Sequence, residues 1–263
     1  QWKQNSAALL LTALKSYYIN VQIDVVTLFP DFFQTPLQSS ILARAVQNEL
    51  LKVGTHNPRD FAFDKHQSVD DQPYGGGGGM VLKPEPLFAL WQAQQFEKAH
   101  CIYLTADGET LDHRLSVELS LQDHLVLLCG HYKGVDERVR TQLIDREVSI
   151  GDFVLTGGEP AALVLIDAVV RLMPGVLGNF GSALEDSFQD ALLDCPWYTR
   201  PAEFNRESVP QVLQSGDHQR VRQWRRTQAL RKTFERRPDL LDKAVLDDKD
   251  KKQLTQWERE GLE

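Results

Sequence analysis

The chain has 263 residues, 42% apolar and 25% charged, enough to bury a full core and ordinary for a globular protein. No apolar run approaches the length that crosses a bilayer, so an integral membrane protein is not expected. The net charge of −8 argues against a nucleic-acid binder only until its distribution is read: between Cys195 and Pro238, ten Arg or Lys residues face four acids. Such a basic island steers polyanions even within an acidic protein.

Residues 1–20 open on Gln1, and Ala7 to Leu14 is a short apolar stretch without a convincing basic start or small-residue cleavage site. They read as an extension outside the fold. Val21 to Phe29 (VQIDVVTLF) is a β-rich run ending at Pro30, a first strand. Ser39 or Ser40 then caps a helical pattern from Ile41 to Leu51. Asp70 to Gly79 is a polar, glycine-dense loop, and Pro84 to Lys98 is a helix with proline at its start.

Two short apolar strands follow, Cys101 to Leu104 and Leu125 to Cys129, separated by a helical stretch near Leu115 to Leu121. A helix at Val135 to Leu143 leads to a third strand, Glu147 to Ile150, and then to an apolar helix, Glu159 to Leu172, stopped by Pro174-Gly175. Strands alternating with helices imply an α/β fold with a mainly parallel sheet. Gly178 to Glu185 reads as a linker. Beyond it, Arg220 to Arg236 and Leu246 to Arg259 are helical patterns without strand signal, so a basic helical domain is expected over 186–263 after an α/β domain over 21–177.

The cysteines Cys101, Cys129 and Cys195 are odd in number and lack paired short spacing, which argues against a disulfide framework or a zinc site and suits a reducing cytoplasm. Cys101 and Cys129 lie in apolar runs and read as buried, inert thiols.

Three loops carry glycines directly after strands: Thr105 to Gly108, Gly130 to Gly134, and Gly151 to Gly158. Ligands of open parallel sheets bind at the carboxyl ends of strands, so three such loops point to one shared site. None of them, nor the run Gly75 to Gly79, fits the dinucleotide or P-loop spacing. The ligand need not be a nucleotide phosphate: a purine-containing cofactor lacking phosphates could instead be held by backbone hydrogen bonds, with apolar walls around its adenine.

The stretches Val69 to Gly75 (VDDQPYG), Gly130 to Val139 (GHYKGVDERV), Ser149 to Glu159 (SIGDFVLTGGE), Arg171 to Gly178 (RLMPGVLG), Glu185 to Phe188 (EDSF), and Leu192 to Pro201 (LLDCPWYTRP) resemble the tRNA (guanine-N1)-methyltransferase family. The likeness is collinear from about Val21 to the C-terminal helices. It implies a SPOUT-type α/β domain with a deep trefoil knot, an exception to unthreaded connections. It also implies an obligate homodimer with active sites built from both subunits, a tRNA anticodon stem-loop as substrate, and a dependence on magnesium, for which no ligand cluster is visible.

By that resemblance the three loops hold S-adenosyl-L-methionine. The positions expected to contact it are Tyr103, Leu104, Gly108, Gly130, Tyr132, Gly134, Ile150, Gly151, Asp152, Phe153, Val154, Leu155, Gly157 and Gly158. His131 lies in the same loops and receives no catalytic role.

The target atom, N1 of guanine at position 37 beside the anticodon, carries a proton at neutral pH. A base must remove it, and the charge developing on O6 needs a cation. The family pattern puts the base at Asp186 and the cation at Arg171. Read without the family, Asp186 is a helix N-cap and Arg171 a cation in a helix's last turn. Asp194, Arg200, Arg220 and Arg225 are expected on the tRNA, with the basic helices gripping phosphates. Trp197, Tyr198 and Trp224 could stack on splayed bases or fill the core, the latter favoured for Trp224.

The chain departs from the family where Gly75 to Gly79 lacks the usual proline and where Trp197 replaces a frequent histidine. Thr105-Ala-Asp-Gly108 also stands for the usual Ser-Pro-Gln-Gly, so Asp107 brings a negative charge near the expected donor. The alternatives are a ribose 2′-O-methyltransferase of the same superfamily, a tRNA binder without turnover, and, most weakly, a nucleotide hydrolase.

Overall fold

The computed structural model describes residues 20–177 and 186–261. They fall into two compact units, divided between residues 177 and 186. The expected linker over 178–185 and all of the expected extension except Asn20 lie outside the described residues.

The first unit is built on a five-stranded sheet of β1 (Val21–Val26), β2 (Leu51–His56), β5 (His100–Thr110), β6 (His124–Cys129) and β7 (Arg146–Ser149) in the order β2-β1-β6-β5-β7. Every neighbouring pair is parallel. Two further short strands, β3 (Asp70–Asp71) and β4 (Val81–Leu82), pair antiparallel across the base of the glycine-rich loop.

Parallel strands covered on both faces read as near-continuous apolar runs. Here the alternation sorts each strand between two cores. Ile102 and Leu104 of β5 pack with Leu125 and Leu127 of β6 under the helices Ser40–Gln47, His113–Leu119 and Glu159–Val170. Cys101 and Tyr103 pack with Val126 and Leu128 against the helices Pro84–Gln94 and Glu137–Leu143. Cys101, Cys129 and Cys195 are buried free thiols. Burial pushes the Cys101 thiol up to about 11 and that of Cys129 well above its ordinary value, as expected of inert core residues.

Three elements differ from the sequence reading. The helix expected to reach Leu51 ends at Gln47, because Glu49 turns left-handed at φ 58°, and Leu51–His56 becomes edge strand β2. β5 runs past Leu104 to Thr110: Leu104 and Glu109 both pair with Val148, so residues 105–108 leave the ladder and return to it. In the second unit, Glu203–Phe204 and Glu207–Ser208 form a hairpin, β8 and β9, through left-handed Asn205 and Arg206.

The second unit packs Leu192, Leu230, Leu254 and Trp257 between the helices His218–Arg236 and Asp248–Glu260. Asp247 caps the second helix in a capping box with Asp250. No described helix is long and apolar enough to cross a membrane.

A buried carboxylate joins three strands of the sheet. Asp24 of β1 accepts from Gln22 at 2.6 Å and faces His56 of β2 at 2.6 Å and His124 of β6 at 2.7 Å. Burial would raise its pKa, yet the hydrogen bonds from His56, Gln22 and His124 win and lower it from 3.8 to about 2. A depressed carboxylate pKa adds stability above the unfolded value, amounting to about 2 kcal/mol here. Denaturant titrations should therefore show that contribution disappearing as pH falls from about 4 to about 2, and Asp24→Asn should flatten the profile over that window. An identical acid profile in the variant would assign the loss to other groups.

Candidate active site

The first stretch of β5, up to its break after Leu104, and the carboxyl ends of β6 and β7 open into a cleft lined by residues 103–106, 130–134, 148–151 and 153–158, with Ala161. Hydrogen bonds tie these segments to one another. Gly158 N–H donates to Gly130 O at 3.0 Å, and His131 and Gly157 form an antiparallel bridge. The 130–134 loop turns back on itself through Tyr132, at φ 60°, with Gly134 N–H donating to His131 O. It is also fastened to the glycine-rich segment, because Lys133 N–H donates to Met80 O and Leu82 N–H to Gly134 O.

Of the residues expected to contact a donor, the structure gathers all but Gly108 and Asp152 on this lining. Gly108 has a different reason to be glycine: a Cβ there would lie 2.5 Å from Val148 N and 2.7 Å from Glu147 O, backbone against backbone where the 105–108 excursion returns to β7. Gly158 is equally constrained, 2.7 Å from Cys129 Cα. Close approach thus fixes these glycines through protein packing before any ligand is considered.

The lining suits an adenosyl group without phosphates. Leu104, Val148, Ile150, Leu155 and Ala161 supply apolar walls, and Lys133 is the one Lys or Arg among the lining residues. Tyr103 lies beneath the 130–134 loop, and burial pushes its phenol up, keeping it neutral at physiological pH.

Asp107 does not leave a bare charge beside the cleft. It accepts from Thr105 Oγ1, and Arg140 Nη2 donates to it at 2.9 Å while also gripping Glu147 at 2.6 and 2.7 Å. Those bonds hold the Asp107 carboxyl below its ordinary value and keep Arg140 firmly charged. The unusual Thr105-Ala-Asp-Gly108 sequence is therefore stapled to the neighbouring helix and strand.

Sequence reasoning missed the partner of His131. Its Nε2 lies 2.8 Å from Oε2 of Glu159, a residue only 3% exposed, whose Oε1 accepts the Thr27 hydroxyl at 2.6 Å. Thr27 and Glu159 are 132 positions apart, so no local pattern could have joined them.

Arg171 is the half-buried C-cap of helix Glu159–Val170, its N–H donating to Asp167 O at 3.1 Å, a position that suits a cation near a helix C-terminus. In the second unit, residues 186–190 are bend and turn, so Asp186 is not the N-cap of a following helix. The segment is shaped by local bonds: Phe188 N–H donates to Leu192 O and Asp194 N–H to Ser187 Oγ.

Asp194 is turned toward its own neighbourhood, accepting from Cys195 N–H and from the Trp197 indole N–H. Trp197 is 57% exposed, and the Arg225 guanidinium stacks over it at 4.3 Å. Tyr198 meets half-buried Trp224 at 6.3 Å between ring centres. Arg200 and Arg220 are exposed. Arg226, by contrast, is a structural clamp, donating to buried Asp250 at 2.8 Å and to Val245 O at 2.7 Å. Among the described residues no group of three His, Cys, Asp or Glu is placed to hold a metal ion.

A family model described as tRNA (Guanine-1)-methyltransferase TrmD matches residues 21–243. Curated proteins named tRNA (guanine-N(1)-)-methyltransferase are similar over nearly their whole length. The Brevibacillus brevis protein is 53% identical over 241 residues, covering 91% of this chain and 99% of that protein. The Dictyoglomus turgidum protein is 49% identical over 240 residues, covering 91% and 98%. The Staphylococcus aureus protein (strain MRSA252) is 50% identical over 238 residues, covering 90% and 97%.

The packing at Gly108 is testable by itself. Gly108→Ala should lower stability in chemical denaturation by about 1–3 kcal/mol, since the new methyl meets backbone that cannot swing aside. Wild-type stability in that variant would show that the 105–108 excursion is free to move.

Proposed function

The chain belongs to the tRNA (guanine-1)-methyltransferase family and transfers a methyl group from S-adenosylmethionine to N1 of a guanine in tRNA, and we propose that this guanine is the one at position 37, beside the anticodon. The observation that carries the donor site is the cleft itself, where three loops on adjacent parallel strands, the second and third bonded to each other, present backbone groups and apolar walls.

Asp186 is the proposed base. It takes the proton from guanine N1, leaving the electron pair that attacks the methyl carbon as the carbon–sulfur bond breaks. The donor, when bound, supplies the electrophilic sulfonium methyl. Arg171 faces the negative charge that develops on O6. The two residues belong to different units of the chain, and we assign Arg171 of one subunit to the Asp186 of the other in a homodimer. Large exposed apolar residues on and beside the cleft, among them Phe29, Phe153 at 52% and Val154 at 87%, support a second copy against this face.

The knotted path of SPOUT enzymes is proposed for the first unit on the family alone. The tRNA lies on the second unit, with Arg200, Arg220 and Arg225 on phosphates or bases. Asp194 orients Trp197 beneath Arg225 for stacking on the anticodon loop. Such an enzyme works in the cytoplasm, where tRNA is matured. No step is assigned to magnesium, for which the described residues offer no ligand group.

The reading is tested by methyl transfer from labelled S-adenosylmethionine to a tRNA transcript with guanine at positions 36 and 37, followed by nucleoside analysis. The expected product is 1-methylguanosine that vanishes when guanine 37 is replaced. A 2′-O-methylated product would move the chain's reaction to the ribose. Asp186→Asn should lower kcat by a factor on the order of 10² to 10⁴ and leave donor affinity within about twofold. Near-normal turnover would remove Asp186 as the base.

The paired Arg220→Ala, Arg222→Ala variant should weaken tRNA binding and flatten the slope of log affinity against log salt by about 1 to 2. An unchanged slope would place the RNA surface elsewhere.

A further inference from the structure

The chemistry above uses neither Glu159 nor Thr27, yet they form the most deeply buried polar group beside the cleft. Glu159 stands at the first position of the helix Glu159–Val170, at the end of the third loop. Its two oxygens are both engaged, Oε1 by the Thr27 hydroxyl at 2.6 Å and Oε2 facing His131 Nε2 at 2.8 Å. Thr27 follows β1, and its hydroxyl oxygen accepts the Phe29 N–H at 2.9 Å. One carboxylate thus joins the end of β1, the loop after β6 and the helix after β7.

Burying a carboxylate is costly unless its oxygens are satisfied, and losing one partner of such a pair costs more than the pair contributes. The helix N-terminus lowers that cost but does not explain why the carboxylate reaches an imidazole on another loop. The imidazole itself has little freedom. Its ring centre is 4.9 Å from that of Phe29 and 6.1 Å from that of Tyr132. A Cβ on Gly157 would lie 2.2 Å from its Nε2. His131 lines the cleft, whereas Glu159 and Thr27 stand behind the lining.

We propose that Glu159, backed by Thr27, is a positioning residue for the methyl donor: it clamps the His131 side chain and so locks the 130–134 loop onto the 156–158 segment, holding the backbone groups that face the donor in their binding arrangement. The inference rests on the donor occupying this cleft. The clamp acts on donor binding and not on methyl transfer, because the guanine proton goes to Asp186 and neither Glu159 nor Thr27 touches the cleft. Its function is preorganisation: with the loops already joined, binding need not order them.

Equilibrium binding of labelled S-adenosylmethionine and steady-state kinetics with tRNA test this on the full chain. Glu159→Gln keeps the shape and removes the charge. It should raise the donor Kd and KM about tenfold, the weight of one charge-assisted hydrogen bond, with kcat at saturating donor within about twofold. The KM for tRNA should stay unchanged. His131→Leu should match that loss, and His131→Gln, which keeps an N–H for Glu159, should recover part of it.

Thr27→Val should shift the donor KM about threefold in the same direction, a weaker loss because the removed donor is a neutral hydroxyl, and it carries the test if Glu159→Gln does not fold. Unchanged donor affinity, or a fall in kcat with KM unchanged, overturns the clamp. Ile150→Asp separates this from the donor-site reading. Loss of donor binding there with wild-type affinity in Glu159→Gln removes the clamp alone, and undiminished binding in Ile150→Asp removes the cleft as the donor site.

Discussion

Backbone passing backbone at less than side-chain distance is the constraint from which the rest of the first unit follows. The 105–108 excursion lies against β7 with Gly108 close to Glu147 and Val148, and the third loop meets β6 with Gly158 close to Cys129. Neither approach leaves room for a Cβ, so these glycines stand where backbone must lie against backbone. Both approaches sit beside the loops that line the cleft. The cleft is the space left between them, and its walls continue the two cores, through Leu104, Val148 and Ala161 of one and Tyr103 of the other.

Buried carboxylates do the long-range fastening in both units. Asp24 joins β1 to β2 and β6 through two histidines, Glu159 joins Thr27 to His131, and Asp250 takes the Arg226 guanidinium between the two long helices. In each case a carboxylate under 9% exposed has a hydrogen-bond donor on an element distant in sequence. Such pairs contribute little net stability against an apolar alternative, but they penalise any arrangement that separates the partners. They therefore act on the precision of the packing more than on its depth.

The second unit separates structural from available charge. Arg226 is half-buried on Asp250, Arg231 and Arg237 are exposed but paired with Glu235 and Asp239, and Arg200, Arg206, Arg220 and Arg222 stand exposed. Arg225 is spread over the indole of Trp197, which Asp194 fixes in turn. Trp197 thus arrives with its own support, as Asp107 does through Thr105 and Arg140. Neither set of contacts is legible at one chain position alone.

The sequence by itself determined the α/β character, the strands β1, β5, β6 and β7, the helices between them, the helical second unit, and, through collinear motifs, the family. These rest on local periodicity, turn residues and short motifs, all of which operate within a few residues. Edge strand β2 escaped because Leu50-Leu51 continues the helical period, and only the left-handed turn at Glu49 ends it. The 105–108 excursion, the reason for Gly108, the pairing of Asp107, the internal use of Arg226 and the Thr27–Glu159–His131 group were decided by the tertiary structure alone. Each depends on residues brought together across 24 or more positions or on backbone lying close against backbone, and a local pattern records neither which side chains meet nor how closely two strands pass.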